Sequence, residues 1–150
     1  AANKNNLVLR VTNVYGKEER NKNFVARILD QCVQKQTLHL TLPYDQYATP
    51  VNAWDIARAM LVLLKENRSG IFHIGGTDWM NRVELAFTVL KYFPEAKYTM
   101  QPMQTTEMQQ AANRPLRGGL LKHKFSSLYP TFLFSNVDSF VQEFIRNQTL

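Results

Sequence analysis

Residues 7–16 have the sequence LVLRVTNVYG, and this stretch decides the fold. Its first half, Leu7–Val11, is apolar and rich in β-branched residues, without a clean alternation of polar and apolar positions. That pattern is typical of a strand buried on both faces in a parallel sheet. Such a strand needs neighbours on both sides, so we expect further strands and covering helices elsewhere.

The rest of the chain alternates between strand and helix patterns. We predict further strands over 38–42 and 70–74, helices over 23–35, 52–66, 81–93 and 135–147, and a shorter helix over 106–112. This alternation predicts an α/β fold. Because three or four strands are too few for a sheet covered on both faces, we expect the chain to begin partway through a larger fold.

Local signals mark where the helices begin and which faces they bury. Asn52 and Ser135 are predicted N-caps, and Asn81 with Glu84 is a predicted capping box. Helical spacing of apolar residues predicts the buried stripes. The first includes Cys32 and Val33, and the second consists of Ile56, Met60, Leu63 and Leu64.

The charge balance favours an anionic partner. The 150 residues carry 18 Lys and Arg against 12 Asp and Glu, a formal net charge of +6. Nucleic acid, an anionic membrane surface or a phosphorylated small molecule would suit this balance, and so would a merely solvated basic surface. The densest basic stretch is 114–124. A single cysteine excludes an internal disulfide, and together with the lack of a signal-type start it favours a cytoplasmic protein.

Motifs for self-contained catalysis are missing from this sequence. It has no G-x-G-x-x-G, P-loop or G-x-S-x-G. The histidines are far apart, and those within strand patterns are typical of structural residues. Asp45 and Asp55 are the acid–base candidates, and we expect Asp55 to serve as a helix cap.

Two groups of residues are candidates for ligand binding. Asn13, Tyr15 and Gly16 follow the first strand, at the end where open α/β sheets bind ligands. An Asn amide there donates and accepts, which suits sugar hydroxyls, although Asn and Gly also favour a plain turn. Arg114 precedes a proline-bounded loop, where its planar guanidinium would match phosphate oxygens or would simply be solvated.

Several motifs, in order, resemble the C-terminal half of extended short-chain dehydrogenases/reductases that act on nucleotide sugars. These are Arg10-Val11-Thr12-Asn13-Val14-Tyr15-Gly16, Asn23-Phe24, Asp45-Gln46 with Pro50 and Asp55-Ile56-Ala57, Gly70-Ile71-Phe72-His73 with Gly76, and Ala112-Asn113-Arg114-Pro115 with Leu120. The Asp-Gln and Ala-x-Arg-Pro elements are similar to the dTDP-4-dehydrorhamnose reductase branch. Arg10-Val11-Thr12 departs from the Arg-Thr-Ser-Trp of that branch, and Asn13 instead matches epimerases and dehydratases.

The resemblance implies a fold and a division of the chain. Residues 1–16 would form a strand and loop of the Rossmann-type parallel sheet. Residues 17–150 would form mainly the small α/β substrate-binding domain, with a return to that sheet near 50–76. The cofactor-binding N-terminal half, which carries the Gly-rich turn and the catalytic Tyr-x-x-x-Lys, would be absent. No tyrosine here is followed by lysine four residues later, so we expect a fragment that is inactive alone.

The resemblance also implies roles for individual residues. Asn13 would bind the sugar, Asn23 and Arg114 the diphosphate, and Leu40 and Thr41 would edge the nucleobase pocket. The backbone of Val14 and Tyr15 would lie near the nicotinamide. The full enzyme would use NADPH or NADH to reduce the 4-keto group of a dTDP-linked sugar, with no metal, nucleic acid or membrane as partner.

The sequence is also consistent with other functions. A non-catalytic regulatory subunit, like the β subunit of methionine adenosyltransferase, and a nucleotide-sugar epimerase or dehydratase would show similar motifs. A basic nucleic-acid-binding domain is a more distant alternative. The first strand, without its sheet neighbours, would be a free edge through which the chain could form homo-oligomers.

Overall fold

The computed structural model describes residues 5–20 and 22–148, and it confirms the α/β class. The predicted segments 1–16 and 17–150 therefore include residues 1–4, 21 and 149–150, which lie outside the described ones. The strands are β1 (Leu7–Val11), β2 (Val14–Tyr15), β3 (Leu38–Pro43), β4 (Val51–Asn52), β5 (Gly70–Ile74) and β6 (Tyr98–Met103). The helices are α1 (Phe24–Val33), α2 (Ala53–Lys65), α3 (Arg82–Leu90), α4 (His123–Leu128) and α5 (Val137–Gln148).

The strands pair in parallel as β1–β5, β2–β4 and β3–β6. In the first pair Leu7 lies opposite Gly70. Burial of β1 on both faces was a wrong expectation for this chain, since Val8 is 45% exposed and Val11 41%. Among the described residues only β5 pairs with β1, which leaves its other edge and part of its surface uncovered.

Two hydrophobic cores hold these pairs together. The larger one joins α1, α3 and α5 to β3, with Tyr15 buried among them. The smaller one joins α2 to β4 and β5 and includes Phe125 of α4, whose ring packs against Phe132 and Phe134. Because Tyr15 of β2 lies only four residues after β1, the larger core anchors the segment after β1, although β1 itself packs on the smaller core.

Two of the predicted buried stripes are partly wrong. In α1 the stripe through Cys32 is buried as expected, but Val33 is 44% exposed. In α2 the buried residues are Asp55, Ala59 and Leu63, four apart, whereas most of the predicted stripe is half-buried or exposed. The inward face of α2 includes the charged Asp55 and the small Ala59. Hydrophobicity alone therefore predicted the residues one position further along, Ile56, Met60 and Leu64.

Several local predictions also need correction. Residues 105–109 form turns rather than a helix, and the left-handed backbone of Gln109, with φ of 46°, interrupts the predicted helix. The Asp45 carboxylate accepts hydrogen bonds from the backbone N–H and hydroxyl of Thr105. Ser135 does not cap the last helix; Asn136 accepts from the backbone N–H of Ser139 instead. Strand β6 was not predicted because it is half-exposed and contains Pro102. Among residues 5–20 and 22–148, no helix combines the length and the apolar character needed to span a bilayer.

Candidate functional site

A cavity of about 860 Å³ lies where strand ends and helix starts meet. The segment after β1 and the end of β3 line it, together with the first residue of each of three helices, Phe24 of α1, Ala53 of α2 and Arg82 of α3. A helix N-terminus carries a partial positive charge and favours anions. Three such ends at one cavity indicate a site for an anionic ligand.

Side-chain charges strengthen this electropositive character. The cationic residues of the lining are Lys17, Lys22, Arg27, Arg82 and Arg114. In the described part of the chain, Glu18 is the single acidic residue that lines the cavity, and its carboxylate accepts a hydrogen bond from the backbone N–H of Asn23. A concave surface lined by one sign of charge focuses the field and raises the local concentration of counter-charged ligands.

Asparagine caps hold the three helix starts in place. The Asn23 side chain accepts from the backbone N–H of Ala26 at 2.8 Å, and Asn52 accepts from that of Trp54 at 3.0 Å. Asn81 and Glu84 form the predicted capping box, with both hydrogen bonds at 2.9 Å. These caps are local sequence signals, which is why the starts of α1, α2 and α3 were predictable.

Asn23 also ties the loop before α1 to the strand region. Its amide nitrogen donates to the carbonyl oxygen of Gly16 at 3.0 Å. Since its oxygen is engaged as the cap, one amide N–H is left to reach a ligand. Asn23 can therefore hold this loop in place and still contact a ligand in the cavity.

The segment after β1 brings three of the predicted residues to the cavity wall. Asn13 adopts a left-handed backbone with φ of 43°, a conformation that Asn tolerates better than most residues. Its side-chain oxygen accepts from Nη2 of Arg82 at 3.3 Å. Val14 is 39% exposed, whereas the ring of Tyr15 is buried and packs edge-on against Phe140. Burial raises the pKa of the Tyr15 hydroxyl, with Asp78 and Asp55 adding to the effect, so this tyrosine stays protonated at neutral pH.

Most of the predicted site residues come together, and one does not. Those that line the cavity are Asn13, Val14, Tyr15, Asn23, Thr41 and Arg114. Thr41 is exposed, but its neighbour Leu40 faces the opposite side of β3 and is 7% exposed within the larger core. Successive residues of a strand face opposite ways, so Leu40 and Thr41 cannot both line the same wall.

The acid–base candidates have structural roles instead. Hydrogen bonds from Thr105 lower the pKa of Asp45, which is not part of the cavity lining. Asp55 is fully buried, but it does not cap α2. Its carboxylate pairs with Arg58 at 2.8 Å and accepts from both the backbone N–H and the hydroxyl of Ser135. Cys32 is 8% exposed in the core, as expected.

The basic stretch 114–124 does not form one charged surface. Arg114 lines the cavity, but Nζ of Lys122 donates to the carbonyl oxygen of Gly76 at 2.7 Å. Nζ of Lys124 donates to that of Ile71 at 3.0 Å and lies 4.0 Å from the Phe72 ring centroid. These lysines bind backbone carbonyls within and just after β5, and they do not form a continuous basic patch for a polyanion.

Sequence reasoning did not find Phe24, Arg27 and Arg82 as candidate ligand residues. One signal for Arg82 was present in the sequence, because a cation directly after the predicted cap Asn81 opposes the helix dipole. Arg27 had no such signal. In the part of the chain that the structure describes, no cluster of three or more His, Cys, Asp or Glu residues could hold a metal ion.

Comparison with known families and structures agrees with this architecture. A family model described as RmlD substrate binding domain matches residues 1–147. A dTDP-4-dehydrorhamnose reductase from Bacillus anthracis in complex with NADP superposes with a TM-score of 0.76 at 21% identity, over 94% of this chain and 48% of that one. A UDP-N-acetylglucosamine 4-epimerase from Bacillus cereus gives 0.71 at 22% identity, over 91% and 46%.

A dTDP-4-dehydrorhamnose reductase ortholog from Clostridium acetobutylicum also gives a TM-score of 0.76 at 21% identity, over 96% of this chain and 49% of that one. The chain thus spans a little under half the length of these structures. Identities this low show a shared fold, which is that of Rossmann-type extended short-chain dehydrogenases/reductases. No curated protein sequence matches the chain.

Proposed function

The chain belongs to the family of RmlD substrate binding domains, and from this membership we propose that it is the substrate-binding portion of an NAD(P)H-dependent nucleotide-sugar oxidoreductase of the dTDP-4-dehydrorhamnose reductase type. The complete enzyme would reduce the 4-keto group of a dTDP-linked sugar. The observation that carries the proposal is the electropositive cavity, at which three helix starts and five cationic side chains face a single acidic one among the described residues.

Arg114 is proposed to bind the diphosphate. It lines the cavity, and no ion pair in the described part of the chain involves it. A guanidinium can hold two phosphate oxygens at once, and each charge-assisted hydrogen bond contributes about 1.5–3 kcal/mol. The free amide N–H of Asn23, at the start of α1, would reach the same group.

Asn13 and Thr41 are proposed to contact the neutral parts of the ligand. The Asn13 amide nitrogen would donate to a sugar hydroxyl, since its oxygen already accepts from Arg82. Thr41 would edge the nucleobase from the end of β3, and Leu40 would support it from the core behind. This division leaves polar groups for the sugar and a β-branched side chain for the flat base.

The cofactor contact proposed for this chain is limited to the nicotinamide end. Val14 offers a partly exposed apolar side chain beside the polar Asn13, which fits one edge of a ring that carries a carboxamide. A bound nicotinamide would supply the hydride. The choice between NADPH and NADH is assigned to a Gly-rich turn that this sequence does not contain.

We also propose the division of the chain into two structural parts. The pairing of β1 with β5 and of β2 with β4 supports a return of the chain, near 50–76, to the sheet that residues up to 16 begin. The pairing of β3 with β6, and their packing with α1 and α3, supports a separate substrate-binding part. The cavity lies between the two, because it is lined from both.

The test is the binding of dTDP to the purified chain by calorimetry. We expect dTDP to bind at least about tenfold more tightly than thymidine, because the diphosphate supplies the charged contacts. Arg114→Gln should weaken dTDP binding by about tenfold or more, whereas Arg146→Gln, the same change at an exposed position of α5, should leave it unchanged. Equal affinities for dTDP and thymidine would contradict the proposal.

A second measurement separates this function from its alternatives. The chain mixed with NADPH and a dTDP-4-keto sugar should show no oxidation of the nicotinamide, since it lacks Tyr-x-x-x-Lys. Steady oxidation by the pure chain would show that it is not just the substrate-binding portion. Duplex DNA or single strands that displace dTDP, with a steep dependence on salt, would favour a nucleic-acid-binding protein instead.

A further inference from the structure

Arg27 and Arg82 both lie close to one aromatic ring at the cavity wall. The Cζ atom of Arg82 lies 4.9 Å from the ring centroid of Phe24, and that of Arg27 lies 5.8 Å from the same centroid. Arg82 is further fixed by its hydrogen bond to Asn13. Phe24, Arg27 and Arg82 all line the cavity. We call Arg27 and Arg82 the arginine pair, and Phe24 its ring.

This arrangement is electrostatically unfavourable in the free protein. Burial and the neighbouring charge of Arg27 lower the pKa of the Arg82 guanidinium, which nevertheless remains charged at neutral pH. Arg82 is also the first residue of α3, where the helix dipole repels a cation. The ion pairs recorded within residues 5–20 and 22–148 involve Arg58, Arg68 and Lys91, so neither member of the arginine pair has a carboxylate partner there.

In the described part of the chain no acidic residue forms an ion pair with Arg27 or Arg82, and the carboxylates of Glu84 and Glu18 have backbone partners. Glu84 lies on the first turn of α3, but its carboxylate accepts from the backbone N–H of Asn81 as part of the capping box. Glu18, the acid in the lining, is held by the backbone N–H of Asn23. The partly buried guanidinium of Arg82 lies beside the exposed, like-charged Arg27, and a bound oxyanion would offset the cost of that placement.

We propose that the arginine pair and its ring form a second oxyanion subsite of the cavity, separate from Arg114, that takes a phosphate or carboxylate oxygen of the ligand. This inference rests on the proposed function for the identity of the whole ligand, but not for the chemistry of the subsite. Planar guanidiniums suit the fork geometry of both groups, and both guanidiniums lie within about 6 Å of the Phe24 ring centroid. The oxyanion comes either from the diphosphate or from a carboxylate on the sugar ring.

The test measures the affinities of wild type and of Arg82→Gln, Arg27→Gln and Arg114→Gln by calorimetry, with Arg146→Gln as the control. The probes are inorganic pyrophosphate, dTDP, UDP-glucose and UDP-glucuronic acid. If the oxyanion comes from the diphosphate, Arg82→Gln and Arg27→Gln should each weaken pyrophosphate and dTDP binding by at least about tenfold. Arg82→Lys should recover only part of the affinity, because it restores the charge without the fork.

Thermal unfolding without ligand guards against a merely structural effect. Since Arg82 is strained by its surroundings, Arg82→Gln should melt within about 2 °C of wild type while its binding falls. If Arg82→Gln fails to fold, Arg27→Gln provides the same readout from α1. A melting temperature that falls in step with affinity in both variants would assign the pair a structural role and overturn the inference.

The probes distinguish the two sources of the oxyanion. An equal loss for UDP-glucose and UDP-glucuronic acid in Arg82→Gln assigns the subsite to the diphosphate, and a loss confined to UDP-glucuronic acid assigns it to a carboxylate. Wild-type affinity in both Arg82→Gln and Arg27→Gln for every probe would overturn the inference, even if Arg114→Gln weakens dTDP binding as the proposed function requires.

The remaining outcomes separate this inference from the proposed function. Binding of pyrophosphate that depends on Arg82, together with dTDP bound no better than pyrophosphate, would support the subsite and contradict the proposed function. Failure of the wild-type chain to bind any probe at millimolar concentration would refute both.

Discussion

Replacing Asp55 by alanine should destabilise the chain without touching its ligand site. Asp55 is fully buried, and its Oδ2 accepts from the backbone N–H of Ser135 at 2.7 Å and from the Ser135 hydroxyl at 2.5 Å. Its Oδ1 pairs with Arg58, whose side chain is 40% exposed. Asp55 thereby joins α2 to the segment that leads into α5.

The magnitude follows from the partners that Asp55→Ala leaves behind. Each of the two partly buried Ser135 donors left without an acceptor costs about 1–3 kcal/mol, and the half-exposed partner Arg58 adds at most about 1 kcal/mol. We expect a loss of about 4 kcal/mol in the free energy of unfolding, which for a chain of this length lowers the melting temperature by about 8–16 °C. Asp55→Asn keeps one acceptor and should lose about half as much.

Urea and thermal unfolding followed by circular dichroism measure these losses. A double-mutant cycle with Ser135→Ala should give a coupling energy of about 1–2 kcal/mol, since the two side chains share a hydrogen bond. Glu95→Ala, at an exposed position, should change the stability by no more than about 0.5 kcal/mol. Wild-type stability of Asp55→Ala, or loss of dTDP binding by folded Asp55→Asn, would refute this reasoning.

Three further perturbations test other parts of the fold. Gly76→Ala would place a Cβ 1.7 Å from the carbonyl oxygen of Pro50 and should lower the free energy of unfolding by about 4 kcal/mol or more. The control Gly118→Ala would make only an ordinary contact at 3.5 Å. Equal stability of the two variants would argue against this packing. Burial raises the pKa of the Cys32 thiol, so a thiol reagent should modify it quickly only in denaturant, and equally fast modification of the native chain would contradict its placement in the core. The isolated chain should form dimers or larger species through the free edge of β1 in light scattering, and Val11→Lys should reduce them; a stable monomer in the wild type would contradict edge pairing.

The parts of the fold that were predictable are those encoded by neighbours in sequence. The caps Asn52 and Asn81 and the run Leu7–Val11 are local signals, and the structure contains them where they were expected. The inward face of α2 was not predictable, because the buried Asp55 is bound by Ser135, which lies 80 residues further along the chain. Strand β6 likewise depends on its pairing with β3 rather than on its own composition.

The candidate site was predictable in part for the same reason. Asn13, Asn23 and Arg114 belong to short motifs, and all of them reach the cavity. Arg27 and Arg82 belong to no motif, and their proximity exists only after α1 and α3 pack together. Pairs that are distant in sequence are therefore the parts of a site that single-sequence reasoning misses.

The position of Arg82 conflicts with what stability alone would select. The first turn of a helix favours acidic residues, as at Asp55 in α2 and Glu84 in α3. Arg82 is a cation in that first turn, directly after the cap Asn81, whose capping box with Glu84 is complete. Sites that bind charged ligands commonly retain such locally unfavourable groups, because the ligand restores the balance. A ligand that neutralises Arg82 should therefore stabilise the fold by RT ln(1 + [L]/Kd), and its Kd already includes relief of the repulsion between the two guanidiniums. The electrostatic cost of Arg82 at the start of α3 in the free chain is therefore part of anion recognition. A neutral residue at position 82 would lower the affinity for the anion and would not improve the packing of the helix.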